Sequence, residues 1–183
     1  RDALLAVADG VFAHCDYRHI EVGHIASRAA VSVPTFYGIF SGGRFSRDSG
    51  KNAWGVAVLD QRLNAALDQE ATTNAHPHTR LLGRLSLLER VTASLPGITN
   101  ALVGERTHSQ VEYSGLLPRY YNEVTQIMAD GQGQRDFSDA MSPSDMASSV
   151  LDSVAVAYAV HLDNPAARAA SASLVVDGVA ASR

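Results

Sequence analysis

The feature that most constrains this chain is a pair of short apolar stripes at helical spacing, separated by almost nothing. Residues 22–30 place Val22, Ile25, Ala26 and Ala29 on one face, and residues 33–40 carry Phe36, Tyr37 and Phe40. Apolar residues three and four apart share a helix face, so both segments read as short amphipathic helices. They meet at Ala30-Val31-Ser32, where Ser32 offers an oxygen to the free N–H groups of the second helix. A join that short forces the second helix across the first and turns one of its faces outward. The pattern predicts a helix-turn-helix, although any small three-helix bundle would carry the same stripes.

The rest of the chain is also helical in pattern. Leu4, Leu5, Ala8, Val11 and Phe12 define a first helix over 2–14, and Asp16 follows where that helix should end. The segment 41–51, SGGRFSRDSGK, reads as a loop. Helices are then predicted over 52–70, 79–95, 98–104 and 118–130, with His76-Pro77-His78 in a connection and 131–142 as polar loop. Ser142-Pro143-Ser144-Asp145 and Asn164-Pro165 each combine a capping side chain with a proline suited to a first helical turn. They open two closing helices, 143–162 and 165–181. With no strand alternation and no repeat, the expected class is all-α with about nine helices. The expected division is 1–51 and 52–183.

Composition narrows the function. Residues 1–53 carry six Lys/Arg against five Asp/Glu, whereas the remaining 130 carry nine against fourteen. A near-neutral head on an acidic body lacks the broad basic footprint of a non-specific nucleic-acid binder. No apolar run approaches the ~18 residues needed to span a bilayer, and no signal peptide is evident, which predicts a cytoplasmic protein with no membrane partner. The single cysteine, Cys15, excludes an intrachain disulfide. His76 and His78 have no Cys or carboxylate cluster nearby, and Ser, His and Asp occur in no nucleophile context. No metal, cofactor or catalytic residue is therefore expected, and the protein reads as a non-enzyme.

From Leu4 to Phe40 the chain resembles the TetR family of transcription regulators. The resemblance is carried by Ala8, Phe12-Ala13, Tyr17, the run Ile25-Ala26-Ser27-Arg28-Ala29-Ala30-Val31-Ser32, Pro34-Thr35-Phe36-Tyr37 and Phe40. Further on, MADGQGQRDF resembles that family's loop before its dimerisation helices. The departures are Asp16 and Ala30 where glycine is frequent, Ile20-Glu21 at a usual Ser/Thr cap, Val33 at a frequent basic position, and Gly38-Ile39 at a frequent His or aromatic. If Ser49-Gly50-Lys51 is the family's Ser-x-Lys, about eight extra residues precede it.

The resemblance implies a homodimeric, ligand-responsive repressor that binds a palindromic double-stranded operator and releases it on meeting a small-molecule effector. Val33, Pro34 and Thr35 would lie at the start of the helix in the major groove, the first two offering apolar contact and Thr35 a hydrogen bond as well. Tyr37 and Lys51 would contact phosphates, Tyr37 being otherwise a head-core aromatic; Arg44 and Arg47 either do the same or lie in a solvated loop. The effector would be apolar or aromatic with a polar handle, in a pocket lined by Leu88, Tyr113, Leu117, Tyr120, Tyr121, Val124, Met128 and Asp152. Ordinary core packing accounts equally well for the tyrosines, and a hydrogen bond to a neighbouring helix for Asp152. The dimer would use Val150, Val154, His161, Ala167, Ala170, Ser171, Leu174 and Gly178, many of them small enough for close helix approach. The rival readings are an activator, a regulator without a ligand, and a helical small-molecule-binding protein or enzyme whose head does not bind DNA.

Overall fold

A computed structural model describes residues 1–40, 47–70, 75–109, 112–160 and 164–180. The described chain is helical throughout, apart from one isolated bridge between Phe137 and Ala180. Its helices are α1 (Asp2–Ala6), α2 (Ala8–Phe12), α3 (Val22–Arg28), α4 (Val33–Phe40), α5 (Arg47–Gln69), α6 (Pro77–Ala93), α7 (Thr99–Ser109), α8 (Tyr113–Leu116), α9 (Pro118–Gly133), α10 (Pro143–Val160) and α11 (Pro165–Val179), with a 3-10 turn at Tyr17–His19. Among the described residues, no helix is long and apolar enough to cross a membrane.

The differences from the sequence expectation are local. The first predicted helix is split at Val7, yet Val7 keeps a helical backbone and its carbonyl still accepts from Val11 N–H at 3.1 Å. Helix α5 begins at Arg47, so residues 47–51 are not loop and the division placed at 51/52 falls inside one helix. Proline at the first turn of α6 starts that helix at Pro77 rather than 79. Helix α7 runs to Ser109 rather than 104, and the short α8 was not foreseen.

The segment MADGQGQRDF is a helix end. Helix α9 continues to Gly133, and Arg135 then takes the left-handed conformation at φ 61. The N–H of Asp136 reaches back to the Gly131 carbonyl at 2.8 Å and that of Arg135 to Gln132 at 3.0 Å, the paired bonds of a Schellman stop. Phe137 folds back onto Gly131 so closely that a Cβ there would stand 2.2 Å from its ring. Ser138 N–H then donates to the Val179 carbonyl at 3.0 Å, tying the stop to the end of α11.

Caps set the ends of the closing helices as expected. Ser142 Oγ accepts from Asp145 N–H at 3.1 Å while donating to the Asp145 carboxylate at 2.6 Å. Asn164 Oδ1 accepts from Ala167 N–H at 3.0 Å. One apolar cluster runs continuously from Leu4 in α1 to Val176 in α11. Head and body are thereby packed together rather than strung on a linker.

Candidate functional site

The join between α3 and α4 is built to be rigid. Ala30 holds φ 53, and the N–H of Val31 donates to Ala26 O at 3.0 Å while that of Ala30 donates to Ser27 O at 3.1 Å. A Schellman stop thus ends α3 without the glycine that usually occupies this position. Ser32 caps α4 by accepting from Thr35 N–H at 3.2 Å, and the Ser32 and Thr35 hydroxyls bond each other at 2.8 Å. Thr35 therefore has a structural partner in addition to the base contact expected of it.

Helix α4 is anchored on one side only. Phe36 is fully buried, and Tyr37 and Phe40 pack against its ring at centroid distances of 5.5 and 5.2 Å. Val33, Pro34, Thr35, Gly38 and Ile39 face outward, with Val33 40% and Ile39 39% exposed. These are two of the few large apolar side chains left in water, and both lie on this one helix. Tyr37 is half-buried at the edge of that face. Ile39, which the sequence reading names only as a departure from a frequent His or aromatic, is thus an addition to the outward face.

Of the basic residues proposed for phosphate contact, Lys51 stands in the second turn of α5, half-buried. Its Nζ lies 4.6 Å over the Tyr17 ring and donates to the Arg18 carbonyl at 3.4 Å. It is thus a packing element of the head as well as a charge near it. Arg44 lies outside the described residues, and for Arg47 only the backbone at the start of α5 is described.

The head is fastened to the body by α5 and by the turn before α7. Trp54 of α5 stacks on Phe12 at 5.9 Å and donates its indole N–H to Leu4 O at 2.8 Å. Tyr17 inserts between α5 and α7: its hydroxyl donates to Asn52 Oδ1 at 2.7 Å and its N–H to Pro96 O at 2.8 Å. Gly55 makes room for it, since a Cβ there would stand 2.9 Å from the Tyr17 ring. Beside Tyr17, the Asp16 carboxylate accepts from Arg18 N–H at 2.8 Å and from Arg18 Nε at 2.9 Å. Burial pushes that carboxyl up, but the Arg18 bonds outweigh it and hold it below the usual aspartate value.

In the body, the proposed ligand positions fall into two groups. Leu88, Leu117, Tyr120, Val124 and Met128 are buried and fill the core between α6, α9 and their neighbours, and the Tyr120 hydroxyl donates to the Arg84 carbonyl. Tyr113, Tyr121 and Asp152 form a separate cluster, with the tyrosine rings stacked at 6.5 Å. Asp152 accepts from Tyr113 at 3.0 Å and from Arg106 Nη2 at 2.8 Å and Nε at 3.2 Å, while the Arg106 guanidinium lies 4.6 Å over the Tyr113 ring. Burial first, then Asp152 beside it, pushes the Tyr113 hydroxyl up, so it remains a proton donor. Asp152, the carboxylate within the apolar run of α10, is paired across helices with Arg106, which was not singled out from sequence. Tyr121 donates to Ser144 O at 3.0 Å.

The dimer positions need correction. Val150 and Val154 are 1% and 0% exposed inside the chain's own core and so cannot face a second chain. A helix nearly covered by its neighbours shows valines on several faces, and sequence spacing alone picked the inward one. The outward face of α10 is Ser149, Ser153, Val156 and Val160, the last two 51% and 69% exposed. On α11, Ala170, Leu174 and Gly178 are exposed, Leu174 at 72%, whereas Ala167 and Ser171 are half-buried. His161 lies outside the described residues.

This architecture, a small helix-turn-helix head docked through one long helix onto a helical body, is the fold of TetR-family transcriptional regulators. It is similar to a protein from Rhodococcus sp. described as a TetR-family transcriptional regulator (TM-score 0.59, 17% identity, 97% of each chain covered). It is also similar to a protein from Saccharomonospora viridis described as a transcriptional regulator and solved in complex with choline (TM-score 0.55, 19% identity, covering 100% of this chain and 97% of that one). No family model matches the sequence, and no curated protein is significantly similar to it.

Proposed function

We propose that the protein is a dimeric, ligand-responsive DNA-binding regulator of transcription. The observation that carries the proposal is α4: a helix held rigidly by a Schellman stop and a serine cap, anchored by Phe36, with an uncovered face at Val33, Pro34, Thr35, Gly38 and Ile39. A helix entering the major groove needs a firm rear anchor and short side chains at its N-terminal end. Val33, Pro34 and Ile39 would read thymine methyls, and Thr35 a base edge. Tyr37, Lys51, Arg44 and Arg47 would set register on phosphates.

A second copy would cover the outer faces of α10 and α11 at Val156, Val160, Ala170, Leu174 and Gly178. Two such heads would meet a near-palindromic operator with half-sites about 34–36 Å apart. Helix α5 runs from the head into the body core, so an effector that shifts α5 would respace the recognition helices and release DNA. That a protein of the same fold was solved in complex with choline supports small-molecule binding by this fold.

Fluorescence anisotropy on fragments of the flanking promoter region tests this. Binding that weakens steeply with salt and is lost in a Thr35→Ala/Tyr37→Phe variant is expected. A folded dimer that binds no fragment at low salt would overturn the proposal and favour a helical binding protein or enzyme instead.

A further inference from the structure

The turn between α6 and α7 opens on a cavity of about 170 Å³, lined by Asp16, Thr92, Gly97, Thr99, Tyr158 and Arg168 among others. It differs from the pocket expected from sequence, and its walls come from both ends of the molecule: Asp16 belongs to the head and Arg168 to α11. Arg168 is 9% exposed, and its Nε is buried with no hydrogen-bond partner. Its nearest carboxylate, Glu89, stands 3.8 Å away, and its guanidinium lies 5.8 Å from the Tyr158 ring. A guanidinium carries five donors in a planar fork suited to a carboxylate, and a buried Nε–H that makes no hydrogen bond is costly.

The other walls are polar in a complementary way. Tyr158 holds its hydroxyl proton, pushed up by burial and then by Glu89, and donates at only 3.5 Å to the Leu85 carbonyl. The Thr92 hydroxyl donates to the Leu88 carbonyl at 2.8 Å and keeps its own lone pairs. The Asp16 carboxylate, also in the lining, packs on Gly97, with one oxygen held by the Arg18 bonds and the other at a looser 3.4 Å from Arg18 Nη2. A plain anion would meet Arg168 favourably and Asp16 unfavourably; a plain cation would do the reverse. A molecule carrying both charges satisfies both walls. The space, about six waters at ~30 Å³ each, suits a compact one.

We propose that this junction cavity binds a small zwitterion of the α-amino-acid class, its carboxylate on the Arg168 guanidinium and its ammonium group against Asp16. Such a ligand bridges α11 to the head beside Tyr17, whose N–H is already bonded to Pro96 in the same turn. Occupancy would therefore set how the head sits on the body. That consequence, though not the binding itself, rests on the regulator reading.

Calorimetry on the full chain with glycine and alanine tests the site, with acetate and methylammonium as single-charge controls. Saturable heat with an amino acid is expected, with much weaker binding of either control. Asp16→Asn and Arg168→Lys, the second keeping the charge and most of the packing, should each weaken binding about tenfold or more while circular dichroism stays unchanged. No saturation by about 10 mM, unaltered affinity in both folded variants, or acetate binding as tightly as alanine would overturn the proposal. DNA anisotropy on the same samples separates the two readings. Intact DNA binding without amino-acid heat removes the site and leaves the regulator. Amino-acid heat sensitive to both substitutions, with no DNA binding, upholds the site and removes the regulator.

Discussion

Gly97 is the point at which the head rests on the body, and Gly97→Ala should loosen that contact measurably. Gly97 holds φ +75, and an added Cβ would stand 2.5 Å from Asp16 Oδ1, 2.8 Å from Oδ2 and 2.9 Å from Cγ. The left-handed backbone costs an L side chain about 1–2 kcal/mol. Relief of the clash requires the Asp16 carboxylate to swing away, which forfeits its cap on Arg18 N–H, worth about 1 kcal/mol. The exposed pairing with the Arg18 guanidinium adds at most ~1 kcal/mol. A total near 3 kcal/mol lowers the melting temperature of a chain this size by roughly 6–12 °C, at about 2–4 °C per kcal/mol. Urea titration of wild type, Gly97→Ala, Asp16→Ala and the double variant measures it. If the clash is the cause, the double variant loses about 1–2 kcal/mol less than the sum of the singles. A Gly97→Ala loss below ~0.5 kcal/mol, or strict additivity in the cycle, would refute the reasoning.

Three further outcomes are expected. Ala30→Gly, at φ 53, removes left-handed strain in excess of the added chain entropy, so the melting temperature should rise by the equivalent of about 0.5–1 kcal/mol. Asp130 is held below the usual aspartate value chiefly by its hydrogen bond to Arg80 and then by Gln126, so it contributes stability above its unfolded value of 3.8 and loses it as pH falls further. Asp130→Asn should therefore destabilise by less than ~1 kcal/mol near neutrality, and urea titrations should show that gap narrowing as pH falls below 3.8. If the proposed dimer uses the outer face of α10, Val160→Asp on that face should shift it to monomer in sedimentation while helicity is retained.

Some of the fold could be read directly because the signals are local. Ser142, Asn164, Pro143 and Pro165 start helices through atoms no more than three residues away, so α10 and α11 were placed almost to the residue. Ser32 did the same for α4, and the Phe36 stripe correctly identified its buried side. The start of α5 was misread because glycines and serines in 41–51 weigh toward loop, whereas tertiary packing draws 47–51 into the helix that carries Trp54. Asp152 was recognised as needing a partner, but its partner Arg106 is 46 residues away, and no spacing rule reaches that far.

The amino-acid order alone decided most of the helical segments, where most of them begin, and that α4 follows α3 without room for anything but a sharp crossing. Those outcomes depend on hydrogen bonds and side chains within a turn or two of each other. Which valines of α10 face inward, which tyrosines lie in the core, the contact of Asp16 with Gly97, and the placing of Asp16 and Arg168 on one cavity were decided only when the helices packed. Contacts between residues far apart in the chain depend on how whole faces fit, and no stretch of sequence holds that information by itself.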